Sequence, residues 1–254
     1  MVRSISKPVE KMEVRDWRAE LEAAAAETVA DLPAVAGDWL STEGGKLGFR
    51  GTPLEGSKGQ FIILDFLNEN QCYTKPYVRG QFTPPSCYAF GRKKDAMAPH
   101  ANVTEPQANR CKGCPNLEWG TADTGKGKKC KEVVRLALIP AVSTADDVEE
   151  SEVAYLKIPV MSVKNFSNFA DQLNAALHLP PFAVATEISV NSDNQVTVLF
   201  KLVEPVAEEL LPAIMEKRKL VKLDNPYPEA GAAPTPTTPA SRPATSRFSG
   251  AKKL

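Results

Sequence analysis

Four of the chain's five cysteines and one of its two histidines fall between Cys87 and Cys130, in the order Cys-x12-His-x10-Cys-x2-Cys-x15-Cys. Thiolates and imidazole are soft donors that suit zinc, and a Cys-x2-Cys knuckle brings two of them to one point. In Cys111-Lys112-Gly113-Cys114 the glycine tolerates the positive φ that so tight a turn requires. Cys87, Cys111, Cys114 and Cys130 make an all-sulfur set, and His100 is an alternative ligand that would lower the site's negative charge. Either set takes Zn2+, and the same thiols could hold an iron-sulfur cluster. Catalytic zinc keeps a water position beside histidine or carboxylate ligands, but His100 is followed by Ala101 and Asn102, and neither HExxH nor His-x-Glu occurs here. Two histidines and scattered acids also leave no Ser-His-Asp arrangement, so the chain is not expected to be an enzyme. Cys72, in Gln71-Cys72-Tyr73, lies outside the spacing and reads as a buried free thiol.

The same region is basic. From Arg92 to Arg135 there are ten Lys and Arg against five Asp and Glu, in a chain whose totals balance at 31 each. Four thiolates around a divalent ion leave about two negative charges, so part of this excess could serve neutralisation alone. Aromatic residues interleave with the cations: Tyr73, Tyr77 and Arg79 come first, then Phe90, Arg92, Lys93 and Lys94, and later Trp119, Lys126, Lys128 and Lys129. Rings that stack bases and cations that track phosphates bind single-stranded nucleic acid without reading its sequence. Tyr73 and Tyr77, like Tyr88 and Phe90, are also spaced as same-face strand residues, which would place them in a core. The glycines of Gly125-Lys126-Gly127-Lys128 lack the length and trailing hydroxyl of a P-loop and serve turns.

The elements that must position these residues follow from periodicity and punctuation. A helix is predicted over 17–30 behind Asp16, and short strands over 46–50, 60–66 and 71–79, separated by glycine or asparagine turns. A long loop without regular patterning then carries the cysteines, and a loop of that length inside a folded body needs its own staple. Strands are predicted again over 133–139 and 154–160, with the acidic run from Asp146 to Glu152 as a solvated loop between them. Phe166, Phe169, Leu173 and Leu177 recur at helical spacing in a helix over 163–177 capped by Ser162, and His178 suits its C-terminal end. A hairpin over 184–190 and 195–203 and a helix over 204–221 complete the body.

Three regions result: an N-terminal helical arm (1–38), a body (39–223) with a zinc-ribbon-like insertion at 87–131, and a Pro/Ala/Thr-rich tail (224–254) too poor in large apolar groups to offset the entropy of ordering. No apolar run is long enough for a membrane span, and the first residues lack the order of a signal peptide. A cytoplasmic protein without a membrane partner is expected, and in that reducing compartment an odd count of clustered cysteines favours metal over disulfides.

The strings CYAFGRKKDAMAPH, CKGCPNLEWG and GKGKKCKEVVRLALIPA resemble a pattern of tailed-bacteriophage single-stranded DNA-binding proteins. The resemblance covers about Trp39 to Val203, includes the Val184-Ala185-Thr186-Glu187-Ile188 strand, and leaves out the tail. In design it is similar to the T-even phage helix-destabilising proteins, in which an oligonucleotide-binding (OB) barrel carries a zinc subdomain held by one histidine and three cysteines. It implies a mainly β fold with flanking helices, an OB-like antiparallel barrel with a zinc-bearing insertion. The implied function is sequence-nonspecific single-stranded DNA binding in phage DNA replication or recombination, in the host cytoplasm and beside other replication or recombination proteins. The alternative is a zinc-stapled structural or adaptor protein of the phage particle or replisome. Single-strand binders often end in an acidic partner-docking segment, whereas this chain ends Gly250-Ala251-Lys252-Lys253-Leu254.

Overall fold

The computed structural model describes residues 39–74, 83–193, 195–224 and 227. The helix predicted over 17–30 and the candidate residues Tyr77 and Arg79 lie outside them. Among the described residues nine strands form one curled, mixed sheet: β1 (Trp39–Ser41), β2 (Gly48–Phe49), β3 (Thr52–Pro53), β4 (Lys58–Cys72), β5 (Cys87–Gly91), β6 (Cys130–Pro140), β7 (Ala154–Ile158), β8 (Val184–Asn191) and β9 (Thr197–Pro205). The order is β3-β2-β1-β7-β6-β4-β8-β9, with β5 alongside the second half of β4. Only β1 and β7 run parallel. The fold is thus mainly β.

β4 is the axis of the sheet. Its first residues pair with β8, its last with β5, and almost its whole length with β6. The sequence predicts two strands here, split by a turn at Asn68-Glu69-Asn70, but those residues are paired on both sides, Glu69 with Phe90 and with Val133. Hydrogen bonds from two neighbours outweigh the poor strand propensity of asparagine. A register shift between Ile63 and Asp65 exchanges the faces of β4 at its middle.

Both faces are covered. On one, Phe61, Ile63, Leu136, Leu138 and Leu156 pack against Phe166, Phe169 and Leu173 of helix α2 (Val163–Leu177), as the apolar spacing predicts. On the other, Ile62, Leu64, Ala137 and Ile139 meet Val148 of helix α1 (Ala145–Glu150) and Leu210 and Ile214 around helix α3 (Leu211–Lys219). Helix α1 replaces the predicted solvated loop. Thr144 accepts a bond from the Asp147 N–H at 3.1 Å, Asp146 and Asp147 sit in the first turn where the helix dipole favours acid, and Val148 is buried. Ser162 precedes α2 as predicted, but its hydroxyl oxygen accepts from the Val198 N–H at 2.8 Å instead of capping the helix. His178 ends α2 in the left-handed region, φ 55°. The hairpin of β8 and β9 forms as predicted, and β9 runs on to Pro205, so the last helix starts later than the sequence suggests. Among the described residues no helix is long and apolar enough to cross a membrane.

Candidate metal centre and basic loop

β4 ends at Cys72, while β5 begins at Cys87 and β6 at Cys130. The register pairs Cys72 with Cys87 on one side and with Cys130 on the other. Residues directly opposite in a sheet point to the same face, so these three cysteines form a row across three strands. Cys72 is buried and free of a disulfide, as the sequence suggests, and it stands in the middle of the row. Distance along the chain hid this neighbourhood, because strand pairing creates it.

The Cys111–Cys114 knuckle closes over the row. The Cys111 N–H donates to the Met97 carbonyl at 3.0 Å and the Cys114 N–H to the Cys111 carbonyl at 3.1 Å, with Gly113 at φ 81° making the turn. Met97 anchors the loop in a small cluster with Ala89, Cys111 and Leu117. That seat requires Gly91, since a Cβ there would stand 2.6 Å from the Met97 Cγ. All five cysteines line one cavity of about 20 Å³, room for one water-sized species.

The residues fit a thiolate-held ion by donor chemistry. Burial pushes the thiols of Cys72, Cys87, Cys111 and Cys130 up, and neighbouring cysteines add to the rise. A cation bound among these thiols would reverse that balance and favour the thiolates. The side chains do not yet converge: among the described residues no group of three His, Cys, Asp or Glu is set to hold an ion as it stands. His100 does not line the cavity. Its ring stacks on Tyr88 at 5.2 Å and its Nδ1 accepts from the Asn102 N–H at 3.2 Å.

The opposite face of the same strands carries a charged group that no spacing rule flagged. The Arg135 guanidinium makes a two-point ion pair with the fully buried Glu69 and lies 4.5 Å over the Phe90 ring and 5.2 Å over that of Tyr227. Burial works against the Arg135 charge, but the bonds to Glu69 hold its pKa up. The Tyr227 hydroxyl bonds to Glu69 and accepts from the Lys157 ammonium at 2.7 Å, which ties down a residue beyond the tail boundary drawn from composition. Burial pushes Lys157 down, opposed by Glu69. The available signal was Arg135 alone, a charge set within the apolar strand predicted over 133–139, because Glu69 fell in the predicted turn between two strands.

The candidate nucleic-acid residues divide. Phe90 is covered by Arg135 and His100, Tyr73 is partly exposed and donates to the Gln71 side chain at 3.1 Å, and Trp119 is 79% exposed. Arg92 pairs with Asp65, Lys94 and Lys128 with Glu132, and Lys129 with Asp123. Lys93 and Lys126 are exposed. Trp119 belongs with the lysine turn: the N–H groups of Gly120 and Ala122 both donate to the Gly127 carbonyl, at 2.8 and 3.3 Å, and Gly125 and Gly127 take positive φ.

Comparison with known proteins returns no matching family model, no matching curated protein and no matching solved structure.

Proposed function

We propose that the chain binds single-stranded DNA without sequence preference, through a loop held by zinc on an OB-like sheet, and that it carries out no bond-making or bond-breaking step. One observation carries the reading: an exposed indole, Trp119, is bonded through its neighbour Gly120 to the turn that presents Lys126, Lys128 and Lys129. A stacking surface and phosphate-seeking cations on one short loop are what sequence-tolerant binding needs. Tyr73, Arg92, Lys93 and Lys94 extend the surface, and Tyr77 and Arg79 join it on the strength of the sequence. The curled sheet with an insertion between β5 and β6 suits the OB-type reading, and the resemblance to phage single-strand binders suits replication or recombination partners in a host cytoplasm. Cys87, Cys111, Cys114 and Cys130 are the zinc ligands that the spacing supplies. A brown colour in the purified protein would instead point to an iron-sulfur cluster.

Titrating Trp fluorescence with an oligothymidylate at two salt concentrations tests the reading. Quenching that weakens steeply with salt is expected, and no binding at low salt sinks it.

The pairing of Lys94, Lys128 and Lys129 with carboxylates favours a second reading, a zinc-stapled structural or adaptor protein of the phage particle or replisome. Sedimentation with assembled particles, together with no affinity for DNA, would select it.

A further inference from the structure

The spacing along the chain and the geometry of the sheet disagree about the ligands. Cys87 and Cys130 flank Cys72 in the register, so they are two strand spacings apart, about 9.6 Å. Two sulfurs on one tetrahedral zinc, with Zn–S bonds of about 2.3 Å, are about 3.8 Å apart. Bringing Cys87 and Cys130 to one ion would need their sulfurs to gain about 6 Å on each other, more than two Cβ–Sγ bonds can cover. Cys72 is one spacing from either, a separation that a shared ion accommodates.

The choice between the outer two follows from their surroundings. Cys130 opens an interior strand paired with β4 and β7 and is buried at 7% exposure. Cys87 opens β5, which among the described residues pairs with β4 alone; it is only half-buried, and its sulfur accepts a bond from the Gln107 backbone N–H. Cys111 and Cys114 come from the knuckle whatever the third and fourth ligands are.

We propose that Cys72, and not Cys87, completes the tetrahedral zinc site with Cys111, Cys114 and Cys130. The proposal rests on the zinc part of the functional reading, and it moves Cys87 to the rim of the cavity as a hydrogen-bonded thiol.

Cobalt(II) titration of the full chain, followed by zinc competition, tests it, because sulfur-to-cobalt charge-transfer absorbance counts thiolate ligands. The wild type and Cys87→Ser are expected to give the same four-sulfur spectrum and the same zinc affinity. Cys72→Ser is expected to weaken zinc by more than the roughly 10- to 100-fold that loss of a ligand's hydrogen-bond partner costs. Cys72→His guards against misfolding: it keeps a ligand, so tetrahedral cobalt bands persist while charge-transfer absorbance falls by about one quarter. Wild-type affinity and spectrum in Cys72→Ser overturn the assignment, as does loss of the four-sulfur spectrum in Cys87→Ser. If the wild type takes up neither cobalt nor zinc, the zinc reading itself fails along with the assignment, whereas a metal-binding wild type with an indifferent Cys72 overturns the assignment alone.

Discussion

Glu69 and Arg135 meet inside the sheet in a two-point ion pair, with Arg135 Nε 2.6 Å from Glu69 Oε2 and a terminal guanidinium nitrogen 3.1 Å from Oε1. The pair joins β4 to β6 on the face away from the thiols, and Arg135 also donates to the Leu223 carbonyl at 3.1 Å. Removing one partner strands a charge away from water. Arg135→Met should lower stability by about 3–5 kcal/mol in urea unfolding, and replacing Glu69 and Arg135 together by methionine should cost less than the single change.

Ser162 stabilises the sheet more than the helix it precedes. Ser162→Ala removes the hydroxyl that accepts from the buried Val198 N–H and should cost about 1–3 kcal/mol. Thr144→Ala removes an exposed cap of α1 and should cost about 1 kcal/mol. Equal losses in denaturant unfolding would contradict this ranking.

Glu132 gives a pH dependence whose sign is fixed. Burial raises its pKa, but the ammonium groups of Lys128 and Lys94 outweigh it and hold the carboxyl below its ordinary value. A carboxyl depressed in the folded state stabilises the protein above its unfolded pKa and loses that contribution as pH falls through the folded one. Glu132→Gln should therefore flatten the acid side of the stability profile below about pH 4.5 and leave the neutral side parallel to the wild type.

If the loop is held by zinc as proposed, chelation should act locally. With zinc removed, amide exchange is expected to quicken across 92–129, where the knuckle and the Gly120–Gly127 bond hold the loop, and to stay slow in β4, β6 and α2. Oligothymidylate affinity should fall in the same sample. Loss of protection in α2 would show that the ion supports the whole body.

On the proposed reading, the lysine turn and the indole should contribute separably to DNA binding. Changing Lys126, Lys128 and Lys129 to glutamine should reduce the slope of log affinity against log salt by about 0.7 for each phosphate that is no longer neutralised. Trp119→Ala should cost about 1–3 kcal/mol with little change in slope. A salt slope unmoved by the triple variant would take these lysines out of the interface.

Much of the fold was legible where one local signal dominated. The apolar stripe of Phe166, Phe169 and Leu173 marks α2, and alternation around a polar turn marks the hairpin of β8 and β9. What local patterning misses is decided across strands. Asn68 and Asn70 read as a turn until both edges of β4 are occupied, and Cys72 reads as a stray thiol until Cys87 and Cys130 are placed on either side of it. The acidic run looked too charged to pack, yet it needs only Val148 on its inner side to become helical. Tyr227 gave no warning at all, because a lone aromatic in a proline-rich context has no periodicity to read.

β4 is translated early and completed late. On one side Phe61 and Ile62 meet β6, but on the other Lys58 to Ile62 waits for β8, just as β1, already paired with β2, waits for β7 on its other side. At roughly 5–20 residues per second, a ribosome leaves the apolar stretch around Phe61 and Ile62 without its second neighbour for on the order of ten seconds. The nascent chain is most vulnerable to sticking to other chains during this interval. Slowing translation between β7 and β8 should lower soluble yield more than the same delay placed after β9.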